Sequence, residues 1–170
     1  MPKAIKLYVR YVTALNNVVG KFVMYWVLLM MGILLYETIS RTVFNKPHIW
    51  VVETSQFIMA AYYMLAGGYS MILDGHVRMD LLYERWTPKQ KAVVDVFTAF
   101  FLLFYLVFLL YGSIAATKYA IMYKQVNYTP WGPPLSPIKI IMTIGIVLML
   151  LQEIAMFFKD LATATGREIV

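Results

Sequence analysis

Four stretches of this 170-residue chain are rich enough in apolar residues to cross a bilayer as helices. The hydrocarbon core requires about 20 mostly apolar residues per helix. Windows at about 18–39, 49–73, 93–116 and 137–158 satisfy that requirement. The third is the cleanest, since 96–116 carries no charge, and the second is uncharged over 57–73. The uncharged cores of the first and fourth are shorter, 22–36 and 140–152, a length that also suits re-entrant or buried helices. Both are read as spanning because Lys21, Glu37, Lys139 and Glu153 stand near the ends, where long side chains reach headgroups. The composition agrees: 61% of residues are hydrophobic and 14% charged, against roughly 25% charged in soluble domains. The fold class that follows is an all-α membrane protein, residues 1–170 forming a single membrane domain.

Local signals punctuate the spans. Thr87-Pro88-Lys89-Gln90 reads as an N-cap with proline at the first helical position, and Ser136-Pro137 opens the last helix in the same way. Gly75 suits the C-terminus of the second span. Residues 127–137 hold four prolines, a glycine and Trp131, which fits an interfacial loop rather than a helix. Ahead of the first span, Lys3, Lys6 and Arg10 share one helical face, and Ile5, Tyr8, Val12 and Leu15 share the opposite one. Residues 3–15 therefore read as a basic amphipathic helix on the membrane surface, with lipid as its partner. A signal peptide is the rival reading, but no A-x-A site follows the basic residues.

Lysine and arginine fix the orientation. Ten of the 15 fall on the side of the two termini and the middle loop, among them Lys3, Lys6, Arg10, Arg78, Arg85 and Lys159; the other five are Arg41, Lys46, Lys118, Lys124 and Lys139. Both termini are expected to be cytoplasmic. The net charge of +6 sits at span ends and so fits anionic headgroups; nucleic acid is not an expected partner.

Reactive chemistry is sparse. With no cysteine, thiolate metal sites, disulfides and cysteine nucleophiles are excluded. The two histidines, His48 and His76, fall on opposite sides of the membrane, so a bis-histidine haem is not available, and neither has a second ligand at zinc spacing. No nucleophile elbow, phosphate loop or catalytic carboxylate pair occurs. The expectation is a protein that is not an enzyme and holds no cofactor or metal.

Three places stand out. Glu37 and Arg41 are i, i+4 neighbours, a short loop then brings in Glu53, and Arg41 is placed to reach either carboxylate. These charges either pin a hairpin or meet a partner. Asp74-Gly75-His76-Val77-Arg78-Met79-Asp80 is either a solvated turn or a structured cap. Ala60, Ala61, Gly67 and Gly68 pair at i, i+7 and would admit a close helix, of this chain or another. Phe97, Phe100, Phe101, Phe104 and Phe108 are read as facing lipid.

Arg41-Thr42-Val43-Phe44-Asn45-Lys46-Pro47, then Trp50 and Glu53, then Gly75-His76-Val77-Arg78-Met79-Asp80, together with the proline-rich loop before the last span, form an ordered set. The set resembles the small membrane subunit, the DctQ type, of tripartite ATP-independent periplasmic (TRAP) transporters, over about 39–153. The resemblance implies a bacterial inner-membrane protein partnered by a large multi-span permease and a periplasmic substrate-binding protein. It implies sodium-coupled uptake of carboxylate-bearing organic solutes, with the solute and sodium sites on the large permease. It makes Arg41, Glu53, Gly75, His76, Arg78 and Asp80 motif residues of structural weight. The periplasmic loops, with Asn45, Lys46, Pro47, Trp50, Lys124 and Trp131, become the expected contact surface. Two other classes compete: a self-sufficient four-helix exporter, for which Glu53 is the one candidate carboxylate, and the membrane anchor of a respiratory enzyme.

Overall fold

In a computed structural model, residues 3–73 and 88–165 are described. They form α1 (Lys3–Met24), α2 (Trp26–Phe44), α3 (Ile49–Ile72), α4 (Pro88–Met122) and α5 (Ser136–Ala164). The chain is helical throughout these residues apart from its connections and one isolated bridge, Val126 to Pro134.

α1 and α2 are separated by Tyr25 alone. There the Tyr25 N–H donates to Phe22 O at 3.3 Å, and the Tyr25 carbonyl accepts from both Leu28 and Leu29. The two helices form a bent 42-residue rod, Lys3–Phe44, in which α1 lies across α5, since Tyr8 and Asn16 both meet it at residues 148–152. No break separates a surface helix at 3–15 from a span starting near 18. Its face also differs from expectation. Val12 is buried and the Tyr8 hydroxyl donates to Leu151 O on α5 at 3.1 Å, so these two meet protein instead of lipid.

Among the described residues three stretches are long and apolar enough to cross a membrane: Lys3–Phe44, Val93–Met122 and Ser136–Thr163. α3 is not one of them. Its 24 residues include Glu53, Thr54, Ser55 and Gln56 near one end and Gly67, Gly68, Tyr69 and Ser70 near the other, which dilute its apolar character. Yet α3 packs against α1, α2 and α5. Glu53 and Ser55, about 160° apart around a helix of 3.6 residues per turn, are both buried. α3 is thus covered on two sides, while Val52, Gln56, Met59 and Tyr63 leave a third face exposed.

α3 and α5 run in the same direction, for Met64 lies against Gly145 and Gly67 against Met149. Their N-terminal ends, with the loops at 45–48 and 123–135, share one end of the bundle. Lys3, Lys6, Met71 and Lys159 gather at the other. α4 packs on α5 around Leu106, Ala120, Ile138 and Ile146, all buried.

The connections obey local rules. Asn45 ends α2 in the left-handed region at φ 52°, which asparagine tolerates, and the Lys46 N–H caps Ser40 O at 3.2 Å. The 123–135 loop is closed by Asn127 N–H to Pro133 O and Leu135 N–H to Gln125 O, each 2.9 Å. Gly132 supplies a positive φ of 57° inside it. Pro88 begins α4 as the first-turn proline signal requires. At α5 the signal is used differently: Leu135 stands at the N-cap position, and the Ser136 hydroxyl donates to Ala120 O at the end of α4.

Candidate functional site

The loop end of the bundle is organised by Glu37. α2 presents this carboxylate about two turns before its C-terminus, and the tight 45–48 connection returns the backbone over it. The His48 N–H donates to Glu37 Oε1 and Oε2 at 3.2 and 3.3 Å, and His48 Nδ1 lies 3.1 Å from Oε2. One carboxylate thereby satisfies the first free N–H of α3 and holds the imidazole. Arg41 Nε lies 3.7 Å from Glu37 Oε1, but its side chain is 66% exposed, so water screens that pair heavily. Of the two carboxylates within expected reach of Arg41, it is Glu37, its i−4 neighbour, that pairs with it. Glu53 is buried at 4% exposure, and its Oε2 has no hydrogen-bond partner among the described residues.

His48 also carries aromatic neighbours, Tyr36 at 5.4 Å and Trp50 at 6.1 Å between ring centroids. Asn45, Lys46, Pro47 and Trp50 are exposed around this clamp, and Lys124 and Trp131 are exposed on the second loop at the same end. The structure therefore brings these six onto one end of the bundle. Lys139 from the first turn of α5 donates to Gln125 Oε1 at 2.7 Å, tying the second loop to its helix.

Deeper in the bundle, α1 meets α3 and α5 through Asn16. Its amide donates to Val12 O at 3.2 Å and to Gln152 Oε1 at 3.2 Å, with Leu148 O at 3.5 Å. Asn16 and Gln152 are 1% and 3% exposed. The close approach depends on glycine: a Cβ at Gly68 would meet Asn16 Oδ1, and one at Gly20 would meet the Tyr69 ring. A Cβ at Gly67 would lie 2.5 Å from Met149 Sδ. Gly67 thus faces α5 and Gly68 faces α1; Ala61 is buried beside them and Ala60 is half-buried. Between α4 and α5 a short hydroxyl column forms, Ser113 to Thr143 at 2.5 Å and Thr117 to Thr143 at 2.9 Å.

Gly75, His76, Arg78 and Asp80 lie outside the described residues. Among the described residues no group of three or more histidines or carboxylates is placed to hold a metal. Sequence reasoning passed over His48, Asn16, Gln152 and Glu153 as site residues. The signal was available for the last three, which are polar or charged positions within or beside apolar windows, yet Glu153 and Gln152 are as buried as the core around them.

The outer surface has the opposite character. Phe97, Phe100, Phe101, Phe104 and Phe108 on α4 are each more than half exposed, as are Leu28, Leu29, Met31 and Leu35 on α2. The family profile described as tripartite ATP-independent periplasmic transporters, DctQ component, matches residues 30–163. The chain belongs to that family. A comparison with curated proteins finds no match. The DctQ component is the small permease subunit of a TRAP transporter, a membrane transport protein whose function is exercised with the other components of the system. The matched region begins within α2 and ends within α5, so it includes the Glu37 clamp, helix α3 and the aromatic face of α4, and leaves out all of α1.

Proposed function

We propose that this chain is the non-catalytic scaffold of a TRAP-type importer. It holds a large multi-span permease in the bacterial inner membrane and helps seat a periplasmic substrate-binding protein. The system imports a carboxylate-bearing organic solute with sodium. The observation that carries this reading is how the side chains divide. The Asn16 amide N–H bonds Gln152 and Ser113 bonds Thr143 inside the bundle, while large apolar side chains of α2 and α4 stand outward, many of them more than half exposed. Such a surface suits lipid on one side and a permanent membrane partner on another.

On this reading the chain crosses the membrane four times: the α1–α2 rod, α3, α4 and α5. α3 crosses despite its polar content because its neighbours shield it. Both termini are cytoplasmic, in keeping with the ten-to-five distribution of Lys and Arg. The loops carrying Asn45, Lys46, Pro47, Trp50, Lys124 and Trp131 then face the periplasm and meet the binding protein. Arg41, Glu53, Gly75, His76, Arg78 and Asp80 hold the fold.

Co-expression with the large permease tests the proposal. The two chains are expected to copurify, and vesicles holding both are expected to take up solute when binding protein and sodium are supplied. Full-rate uptake by vesicles holding the large permease alone would reject the scaffold role.

A further inference from the structure

α1 carries three stripes of different chemistry. Val12, Asn16, Gly20 and Val23 are buried against the bundle, and Tyr11, Leu15, Val18 and Phe22 form an exposed apolar stripe. The third stripe, Lys3, Lys6, Arg10, Thr13 and Asn17, recurs at i, i+3, i+7, i+10 and i+14, one continuous line along a helix. Its three cations are exposed. It lines a cavity of about 900 Å³ between α1, the end of α3, the start of α4 and the end of α5.

Lys159 of α5 adds a fourth cation to the lining, and two carboxylates, Asp95 and Asp160, are also present. Those carboxylates are engaged in interactions of their own. The ion pairs at the loop end use Arg41 and His48 and none of the four cavity cations. Four cations against two carboxylates leave the lining positive. The remaining wall is apolar, with Leu7, Met71, Ile72 and Met156. A soluble anion has no use for such a wall, whereas an amphiphile with an anionic head has a use for both parts.

We propose that this cavity binds an anionic phospholipid, the phosphate held by Lys6, Arg10 and Lys159 and the upper acyl chain laid against Met71 and Met156. Basic pockets between helices at a membrane surface suit such headgroups, and the volume lies within the range of small-molecule sites. The exposed Tyr11–Phe22 stripe beside it continues the apolar surface on which the rest of the lipid lies.

The full-length chain, purified in a neutral detergent and examined by native mass spectrometry, tests the site. Phosphatidylglycerol, phosphatidylcholine and inorganic phosphate are added separately. Phosphatidylglycerol is expected to remain bound after detergent release, and Lys6→Gln with Arg10→Gln is expected to weaken it by about tenfold or more, on the scale of two surface cations. Lys6→Arg with Arg10→Lys is expected to retain it, and Lys46→Gln with Lys124→Gln at the other end to leave it unchanged. Because Lys6 and Arg10 are exposed, the fold survives their replacement; Lys159→Gln reads the same site independently from α5. Equal retention of phosphatidylcholine, or of phosphatidylglycerol by both the α1 and the α5 variants, would overturn the proposal. Displacement of phosphatidylglycerol by an equal concentration of inorganic phosphate would overturn it too, assigning the site to a soluble anion.

Discussion

α3 and α4 divide the labour of this protein in a way that reverses the rule for soluble domains. α4 is the more apolar helix, qualifying as a spanning segment by composition, and it exposes Phe97, Phe101, Phe104 and Phe108. α3 carries a glutamate, two glycines and several hydroxyls, falls short by composition, and packs against three other helices that bury Glu53, Ser55, Ala61 and Gly68. In water the apolar helix would be inside. In lipid the hydrophobic effect gives no reason to bury phenylalanine against protein, and close contact plus polar bonds decide what goes inside. Small size and hydrogen-bonding capacity mark the interior here; bulk marks the exterior.

That contrast is most directly broken by adding bulk at glycines of each kind. A Cβ at Gly145 would lie 2.6 Å from the backbone oxygen of Met64, while one at Gly112 on α4 meets nothing within 4 Å. Gly145→Leu asks one helix backbone to retreat from another. It is expected to cost about 3 kcal/mol or more, the upper end for overpacking, and to lower the melting temperature in detergent sharply. Gly112→Leu is expected to leave it in place. Equal melting of the two variants would show that α3 and α5 do not meet as closely as the structure has them.

The clamp at the loop end ranks next. Glu37→Ala removes the acceptor of three contacts from His48 and the weak pair with Arg41. About 1–3 kcal/mol is expected, the scale of a lost charge-assisted bond with a stranded donor. His48→Ala keeps the backbone bonds and is expected to cost less, and Arg41→Ala about 0.5 kcal/mol or less, since its pair is exposed. Thermal melts of the three variants give the order. A larger effect for Arg41 than for Glu37 would move the weight of the hairpin to the exposed pair.

These two regions also show what the sequence can carry. Helix positions were legible because hydrophobic length, Pro88 and the proline-rich 127–137 loop are local signals, each acting on its own few residues. The Glu37–Arg41 pair was legible as an i, i+4 spacing. Choosing between Glu37 and Glu53 as the partner of Arg41 was not, because it depends on where the loop brings His48. Asn16 and Gln152 stand 136 positions apart, and nothing local to either announces the other. The surface helix was expected over 3–15, yet Asn16 makes a buried bond just beyond it and the helix runs on to Met24. Tyr25, where it is interrupted, has neither glycine nor proline beside it. The glycines at 67 and 68 were visible as small residues, but adjacent glycines point in different directions, and only the packing assigns one to α5 and the other to α1.

The Asn16–Gln152 bond sharpens the comparison quantitatively. In a double-mutant cycle of Asn16→Ala and Gln152→Ala, a coupling of about 0.6 kcal/mol, rising to no more than roughly 1.7, is expected, the range measured for interhelical bonds in membranes. Near-zero coupling would assign the specificity of the α1 contact to glycine packing alone.

The smallest effect belongs to the aromatic face, and it is the one that separates stability from assembly. Phe101 and Phe104 are 57% and 60% exposed, so their loss removes little from this chain's own packing. Phe101→Ala with Phe104→Ala is expected to change the stability of the isolated subunit within about 0.5 kcal/mol, as for surface positions elsewhere. Co-purification with the large permease then reads what the face is for. Unchanged recovery of the complex means that this part of α4 meets lipid, and the permease must sit on α2 or another outward face. Reduced recovery at unchanged subunit stability places the permease against α4. A double variant that melts early by itself would contradict the exposure of these rings, and with it the claim that bulk in this protein belongs outside.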